Sequence, residues 1–453
     1  MTPSGNQNHA RLSTGTVRGH LVRMTVPMTG GILAIAAFNL ADTYFVSKLG
    51  TRALAAMGFI FPVIMVVISV SLGLGLGAST VISRAIGRGS SDEIRRLTTD
   101  SILIAVITVF LIGIIGFLTI DPLFRMLGAT ADTLPLIRSY MTIWYGGVAV
   151  LIIPIIGNHC IRATGDTLTP AVIMIVLSAV NIVLDPILIF GRFGIPAMGI
   201  AGAALATVLT RTAGMVAALW ILHRKYGMID ISIPRLRKVL DSWARILHVS
   251  IPAAMTHLLL PISMGIVTRL VSTYGQGPVA AVGAGSRVMQ FAYIVPIALG
   301  TALVPFVGQN WGANLTHRSY TAWWKSNRFC LYYGLATFLI FYLFATEITT
   351  LFSNDPDVTV PMTAFLLIIL AASGLQHTAV HSGFTLNAIG YPVTAFFFNL
   401  LRMLLLMCPL AFAGNYLFGL IGIFFGVALA QVITGLIGRL TMPVLLRPAY
   451  EKQ

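Results

Sequence analysis

Long, almost uncharged segments follow one another along this chain, and no other feature restricts its fold as strongly. At 1.5 Å per residue in an α-helix, each is long enough to cross the hydrocarbon core of a bilayer, which is about 30 Å thick. Only 9% of the 453 residues are charged, whereas soluble domains carry about 25%. A soluble fold is therefore excluded. The chain is expected to cross the membrane repeatedly as α-helices, because a helix satisfies its own backbone hydrogen bonds in lipid.

The limits of the uncharged segments predict twelve transmembrane helices. The run from Val358 to Leu401 is too long for one span, and Gly390-Tyr391-Pro392 divides it into two. The predicted spans are 20–47, 53–83, 97–120, 134–160, 168–190, 199–223, 244–272, 279–308, 326–352, 358–386, 393–413 and 418–441.

The placement of Lys and Arg predicts the orientation. With the N-terminus inside, most basic residues fall in the inner segments, and the outer segments hold only Lys48, Arg52, Arg125, Arg138 and Arg192. Because positive charge is enriched in cytoplasmic loops, both termini are expected to be cytoplasmic in a multi-pass inner-membrane protein. The same rule accounts for the net charge of +15, so no nucleic-acid binding is inferred from it.

The chain also repeats itself at a constant offset, the spacing between Pro27 and Pro252. The same spacing separates Gly50 from Gly275, Gly75 from Gly300, and Gly165 from Gly390. Each half holds six spans, an even number, so both halves enter the membrane in the same direction. The predicted fold is an all-α integral membrane protein of two six-helix bundles, related by a pseudo-two-fold axis along the membrane normal.

The spans and the basic segments predict the domain organisation. The polar residues at the start lack the apolar core of a signal peptide. The expected parts are a disordered cytoplasmic N-terminus over 1–19, a first lobe over 20–223, a cytoplasmic linker over 224–243, a second lobe over 244–441 and a cytoplasmic C-terminus over 442–453.

Two carboxylates are placed deep inside predicted helices, Asp42 in the first and Asp185 in the fifth. A carboxylate in hydrocarbon costs several kcal/mol and usually marks an ion or substrate pathway. At the repeat offset, Val267 and Leu410 replace them in the second half. The coupling site is therefore expected in the first lobe. Pro27 lies on the same helix as Asp42 and removes a backbone donor, so it is the candidate hinge.

Several polar residues are candidate partners of the two carboxylates. Asn39 precedes Asp42 by three residues, and Asn181 precedes Asp185 by four, so each shares a helical face with its carboxylate. Depth in the fourth and sixth helices selects Tyr140 and Thr207, and Asn158 lies nearer the inner end; these candidates are the weaker ones. A buried pair of carboxylates is expected to titrate as a unit, which makes it a proton acceptor, and the same oxygens are suited to Na⁺. The alternative is that the carboxylates only brace helices, Asp185 because Pro186 follows it.

Four arginines fall within predicted spans. Arg211 and Arg269 are interpreted as snorkelling or paired near helix ends. Arg287 and Arg402 lie in the second lobe without acidic neighbours in sequence. They either line a cavity or pair with backbone carbonyls, and the structural role is favoured.

No arrangement of residues predicts an enzyme or a metal centre. His377 and His381 are four residues apart on one helix, and without a nearby cysteine or carboxylate they are interpreted as a polar helix face. Cys160, Cys330 and Cys408 are far apart and are expected to be reduced packing residues. No cofactor is expected beyond the coupling ion.

Five stretches are specific when they occur together in this order on twelve spans: NLADTYFVSKLGTRALAAMG, GLGLGASTVISRAIGRG, IRATGDTLTPA, NIVLDPILIFG and GIAGAALATVLTR. With them the chain resembles the MATE (multidrug and toxic compound extrusion) transporters, over nearly all of residues 20–441. The chain looks most like the DinF-type branch, in which the functional carboxylates lie in the N-terminal lobe. That resemblance matches Asp42, Asp185, Asn181, Tyr140 and Thr207. The NorM-type branch carries acidic residues in the C-terminal lobe, and the corresponding helices here have none.

The resemblance implies a monomeric multidrug antiporter, one that confers antibiotic resistance. It implies export of drugs and organic cations, amphipathic and bulky, in exchange for inward H⁺ or Na⁺. It further implies that protonation of Asp42 bends the first helix at Pro27, which shrinks the cavity and expels the substrate. Membrane lipids are the other expected partners. The rival interpretation is a flippase of the same superfamily for lipid-linked precursors, which would need a cationic cavity supplied by Arg287 and Arg402.

Overall fold

A computed structural model describes residues 12–230 and 236–446, and these residues form fifteen α-helices and one π-helical turn. The helices are α1 Val17–Ser47, α2 Thr51–Arg88, α3 Ser91–Met126, α4 Leu134–Gly146, α5 Val148–Ala163, α6 Leu168–Phe190, α7 Ile200–Arg224, α8 Leu236–Ser272, α9 Gln276–Ala292, α10 Ile294–Gly312, α11 Thr316–Leu343, α12 Ala345–Thr350, α13 Pro356–Ile389, α14 Pro392–Leu400 and α15 Met407–Leu446. The π-helical turn, Leu401–Leu406, joins α14 to α15.

The helices account for the twelve predicted spans. Among the described residues, nine helices are long and apolar enough to cross a membrane, and α4 with α5, bent by 51°, makes a tenth. One of the nine, Pro392–Leu446, is interrupted by non-helical backbone at Phe418 and Gly419 and so contains two spans. The remaining span is α11, which has the length but also carries Lys325 and Arg328. The all-α, twelve-span fold is therefore confirmed.

The repeat of the sequence is visible in the backbone. Gly50 and Gly275, one repeat apart, precede α2 and α9 with φ of 98° and 106°. Gly165 and Gly390 form a second such pair, with φ of 91° and 95°. Only glycine adopts this backbone conformation at little cost, so the repeat preserves the turns that connect the spans.

The described residues divide into two compact units, and the division falls inside helices. The first unit is Pro27–Ala254, and the second contains the described residues before Pro27 and those from Met255 onward. The first unit differs from the predicted lobe of 20–223 at both ends: it lacks residues 20–26, and it extends through the described residues of the predicted linker and the first half of α8. Pro27 and Pro252, which are repeat-related, lie at or beside the two points of division.

The first half of α8 packs within the first unit against α2 and α3. A Cβ on Gly73 would lie 2.6 Å from the backbone N of Ala254, and one on Gly77 would overlap Ser250. The Arg245 guanidinium donates to Glu93 at 2.6 Å. Gly73 and Gly77 of α2 therefore allow close packing of the two helices.

The start of the described chain is held against the second unit. The Arg318 guanidinium donates to the carbonyl oxygens of Gly15, Leu12 and Thr14 at 2.8, 3.0 and 3.1 Å, and to the Asn310 side chain at 2.7 Å. The prediction of disorder over 1–19 is thus wrong for residues 12–19, because backbone carbonyls ahead of a helix supply acceptors for an arginine. Residues 1–11 lie outside the described residues. Likewise α15 extends to Leu446, and 447–453 lie outside them.

A hydrogen-bond network around Asp166 connects the turn before α6 to the residues that follow α7. Its carboxylate accepts from the Thr169 backbone N–H at 2.9 Å, the Thr169 hydroxyl at 2.6 Å, the Lys225 ammonium at 3.0 Å and the Tyr226 hydroxyl at 2.5 Å. Burial raises the pKa of Asp166, but these hydrogen bonds outweigh it and lower the pKa to about 2. The network stabilises the turn between α5 and α6.

We expect Asp166→Asn to lower the free energy of unfolding by about 1–2 kcal/mol at pH 7, since it removes charge-assisted hydrogen bonds. The carboxyl has a lower pKa in the folded protein than in the unfolded one. Its contribution is therefore present above about pH 4 and is lost as the pH falls toward 2. Melting curves in detergent between pH 7 and pH 3 measure this, and the difference from the wild type should shrink over that range. The control is Asp241→Asn, an exposed residue of α8. An unchanged difference at pH 3, or an equal loss in the control, would contradict the assignment.

Candidate functional site

The structure brings Asp42, Asp185 and Tyr140 together in the first unit. Asp42 lies on α1 and Asp185 on α6. The two helices approach closely at Gly31, where an added Cβ would lie only 3.1 Å from the Cα of Ala171. The two carboxylates are near enough to interact electrostatically with each other and with Tyr140. Asp185 and Tyr140 are buried.

Three of the four carboxylate oxygens of this pair are buried without a hydrogen-bond partner among the described residues. Both oxygens of Asp185 and Oδ1 of Asp42 are inaccessible and accept no hydrogen bond from the described residues. A buried acceptor without a partner costs about 1–3 kcal/mol, and more when it is charged. The pair is therefore a place where binding of a proton or a cation would lower the free energy.

Asn181 extends this group by one helical turn. It is buried on the face of α6 that carries Asp185, and its side-chain amide donates to the Thr210 hydroxyl of α7 at 3.4 Å. Its Oδ1 is buried without a partner. Thr210 was not among the predicted residues, although it lies on the same face as the predicted Thr207, three residues along the helix.

A small cavity of about 20 Å³, enough for a water molecule or two, lies beside the group, within the first unit. Its lining residues come from α1, α5, α6 and α7: Ile35, Phe38, Pro154, Asn158, Ile173, Met174, Leu177, Ser178, Asn181, Thr207, Thr210 and Arg211. The lining includes three predicted residues, Asn158, Asn181 and Thr207. It also includes Arg211, which was predicted to snorkel or pair near a helix end; Arg211 is instead the twelfth of the 25 residues of α7. The prediction for Arg211 is wrong, because the residue lies in the middle of α7, where it lines the cavity.

Two predicted residues are set apart from the buried group. The Asn39 side chain is exposed, and its backbone carbonyl accepts from the Thr43 hydroxyl at 2.9 Å. The spacing of three residues from Asp42 thus did not bring the amide to the carboxylate. Pro27 lies inside α1, which continues through it as a helix.

The arginines and histidines singled out in the second unit do not form a site. Arg402 is buried in the π-helical turn and donates to the Asn399 side chain at 3.0 Å, whereas Arg287 is exposed. His381 Nε2 lies 2.9 Å from the Pro296 carbonyl oxygen, and the His377 ring packs edge-on against Tyr293. Both histidines thus pack between helices. Within the described chain, no group of three or more His, Cys, Asp or Glu residues is placed to hold a metal ion.

Known proteins resemble the chain over most of its length. The FAD transporter of Shewanella oneidensis is 34% identical over 92% of this chain and 92% of its own. The probable multidrug resistance protein YoeA of Bacillus subtilis is 26% identical over 76% of this chain and 74% of its own. The crystal structure of a mutant of the Vibrio cholerae MATE transporter VcmN has a TM-score of 0.91 at 30% identity, covering 95% of this chain and 97% of that one.

The family model named MatE matches twice, at residues 27–187 and 252–413. The two matches begin at Pro27 and Pro252, the pair that defines the repeat offset in the sequence. Members of the family are transporters and not enzymes, which agrees with the sequence analysis. This chain belongs to the MatE family, the MATE transporters.

Proposed function

We propose that this protein is a multidrug efflux antiporter, which exports amphipathic and often cationic compounds in exchange for H⁺. The observation that carries the proposal is the pair of half-buried Asp42 and buried Asp185, in which Asp42 Oδ1 and both Asp185 oxygens accept no hydrogen bond from the described residues. Na⁺ is the alternative coupling ion, because hard cations take oxygen ligands, and the Asn181 amide, one helical turn from Asp185, contacts the Thr210 hydroxyl. We further propose the cytoplasmic membrane as its location, with both termini inside, and a monomer as the working unit.

The charge of the Asp42–Asp185 pair couples the binding of the ion to the binding of the substrate. Two like charges close together in a low-dielectric site cost free energy, and the binding of one proton or cation removes most of that cost. The Asn181–Thr210 contact joins α6 to α7 at the wall of the cavity. A change of charge at Asp185 would therefore rearrange the hydrogen bonds that line the cavity. The ion and the substrate then favour different arrangements of the same residues, which is what reciprocal coupling requires.

Pro27 is the proposed flexible point of this change. It lies inside α1, between the residues that pack in the second unit and those that carry Asp42 in the first. A proline removes one intrahelical hydrogen bond, so bending there costs less than elsewhere in the helix.

FAD export is a second candidate function. It is favoured by the 34% identity with a protein named as an FAD transporter, which extends over 92% of the chain. The flippase for lipid-linked precursors is less favoured, since Arg402 bonds to Asn399 and Arg287 is exposed.

Transport by inside-out vesicles tests these functions. Inside-out vesicles that contain the protein should accumulate ethidium when their lumen is made acidic. A Na⁺ gradient with the higher concentration in the lumen, and without a pH gradient, distinguishes the two ions. Drug-hypersensitive cells that express the protein should gain resistance. A protein that moves no dye under either gradient, but that rescues envelope synthesis, would be a flippase and would refute the proposal.

A further inference from the structure

The first turns of α8 carry exposed apolar side chains. Leu236 and Leu240, one helical turn apart, are 72% and 53% exposed. Ile251 follows Leu240 by eleven residues, which is about three turns, so it lies on the same side of the helix. It is 55% exposed. The exposed apolar stripe of this membrane span therefore continues back to the beginning of α8.

These turns lie next to the hydrocarbon core, at the level of the lipid headgroups. The sequence between Arg245 and Arg269 contains no Lys, Arg, Asp or Glu. At 1.5 Å per residue, that stretch is long enough to cross a core of about 30 Å. The turns from Leu236 to Arg245 precede it directly, so their side chains lie where basic residues meet phosphate groups.

A basic edge borders the apolar stripe. Arg237 and Lys238 are exposed and form no ion pair within residues 12–230 and 236–446, although Asp241 follows within one helical turn. Arg245 follows Lys238 by seven residues, which is about two turns, so these two lie on the same edge. This edge therefore carries more positive than negative charge.

Arg88 joins the basic edge, because it shares a carboxylate oxygen with Arg245. Both guanidinium groups donate to Glu93 Oε1, Arg88 at 2.8 Å and Arg245 at 2.6 Å. One carboxylate balances only one of the two arginines, so a net positive charge remains. Their side chains are 38% and 39% exposed, and each guanidinium has further N–H donors. The two arginines are thus held together in a place where a phosphate can bind both.

Contacts on the other side of α8 fix these turns on the first unit. Val239, Ser242 and Ile246 are buried. The Arg96 guanidinium donates to the Ser242 hydroxyl at 3.0 Å. Because this side is packed, the apolar stripe and the basic edge keep their positions relative to each other without any ligand.

We propose that the first turns of α8, together with Arg88, form a binding site for an anionic phospholipid of the adjoining leaflet. Its phosphate binds Arg88 and Arg245, and Arg237 and Lys238 add electrostatic attraction. Its acyl chains lie along the apolar stripe that begins with Leu236. A zwitterionic phospholipid has the same chains but no net charge, so the site prefers the anionic one. Such a site is independent of the transported substrate and of the coupling ion.

The test measures lipid binding by the purified full-length protein in detergent. Energy transfer from tryptophan to pyrene-labelled phosphatidylglycerol reports binding, and unlabelled lipids compete for the site. The competitors are dioleoyl phosphatidylglycerol, which is anionic, and dioleoyl phosphatidylcholine, which is zwitterionic. We expect the wild type to bind phosphatidylglycerol about tenfold more tightly, since each basic residue near an anionic lipid surface strengthens binding severalfold. This preference should weaken as NaCl is added, because salt screens the attraction.

The double variant Arg237→Gln/Lys238→Gln should lose roughly fivefold or more in affinity for phosphatidylglycerol and keep its affinity for phosphatidylcholine. Arg88→Gln should lower the same preference, and Arg88→Lys should keep part of it, since lysine retains the charge but not the planar fork. The matched control is Lys48→Gln/Arg52→Gln, which removes two exposed positive charges at the turn between α1 and α2 and should keep the preference.

Three results would overturn the inference. The first is a wild type that binds both lipids equally. The second is an equal loss in the control variant, which would mean that any exposed basic residue attracts anionic lipid. The third is displacement of the labelled lipid by inorganic phosphate at constant ionic strength, which would indicate a site for free phosphate. If the charge variants do not fold, the wild-type preference and its decrease with salt decide.

Discussion

Replacement of Asp42 by asparagine is expected to reduce efflux to the level of vesicles that lack the protein. The side chains of Asp and Asn have nearly the same shape, so α1 should keep its packing on α6. The amide, however, neither takes up a proton nor offers a negative charge to Na⁺. Without a charge change at Asp42, the electrostatic interaction with Asp185 no longer varies during the cycle. Ion and substrate then lose their coupling free energy, which is typically about 1–3 kcal/mol.

The measurement is ethidium accumulation in inside-out vesicles under an imposed pH gradient, at matched protein levels. The control is Asp132→Asn, which makes the same chemical change at an exposed residue between α3 and α4 and should retain wild-type efflux. Asp185→Asn should also impair efflux, and the double variant should be no worse than Asp42→Asn, because residues that act as a unit are not additive. Wild-type accumulation by Asp42→Asn would refute its role in coupling.

Replacement of Gly422 by valine is expected to prevent the second unit from packing correctly. The two spans within α15 separate at Phe418 and Gly419, and their glycines then face each other. A Cβ on Gly422 would overlap the carbonyl of Gly414, and a Cβ on Gly426 would overlap the carbonyl of Leu410. These neighbours are backbone atoms, so no rotation of a side chain relieves the overlap. The helices must separate, which costs about 3 kcal/mol or more.

Size-exclusion profiles and melting temperatures in detergent measure this effect. A loss of about 3 kcal/mol in a unit of this size corresponds to a decrease of roughly 6–12 °C, provided the variant is recovered at all. Gly283→Val is the matched control, because a Cβ at Gly283 meets no atom within 4 Å. Equal melting temperatures for Gly422→Val and the wild type would show that the backbone approach is not needed.

Much of the fold was predictable because the membrane restricts the chain so strongly. Apolar length alone sets the number of spans, and the constant repeat offset identifies the two halves. The helix ends were less predictable. For example, α8 begins at Leu236 and not at 244, because charged residues continue a helix beyond the hydrocarbon core and hydropathy does not register them.

The division into units was not predictable from the spans. Hydropathy treats α1 and α8 as single elements. The contacts of Arg318 with Leu12, Thr14 and Gly15 assign the first described residues to the second unit, and the contact of Gly73 with Ala254 assigns the first half of α8 to the first. Such assignments depend on contacts between residues far apart in sequence, and no local pattern encodes them.

For the candidate site, the primary structure alone indicated Asp42 and Asp185, since the cost of a charge in lipid makes any intramembrane carboxylate conspicuous. It also indicated Asn181, because four residues along a helix return to the same face. Only the packing of α1, α5, α6 and α7 decided that Arg211 and Thr210 line the cavity and that Asn39 does not. The physical reason is rotation: the face that a helix turns toward its neighbours depends on side-chain packing along its whole length, and spacing within one helix does not determine it.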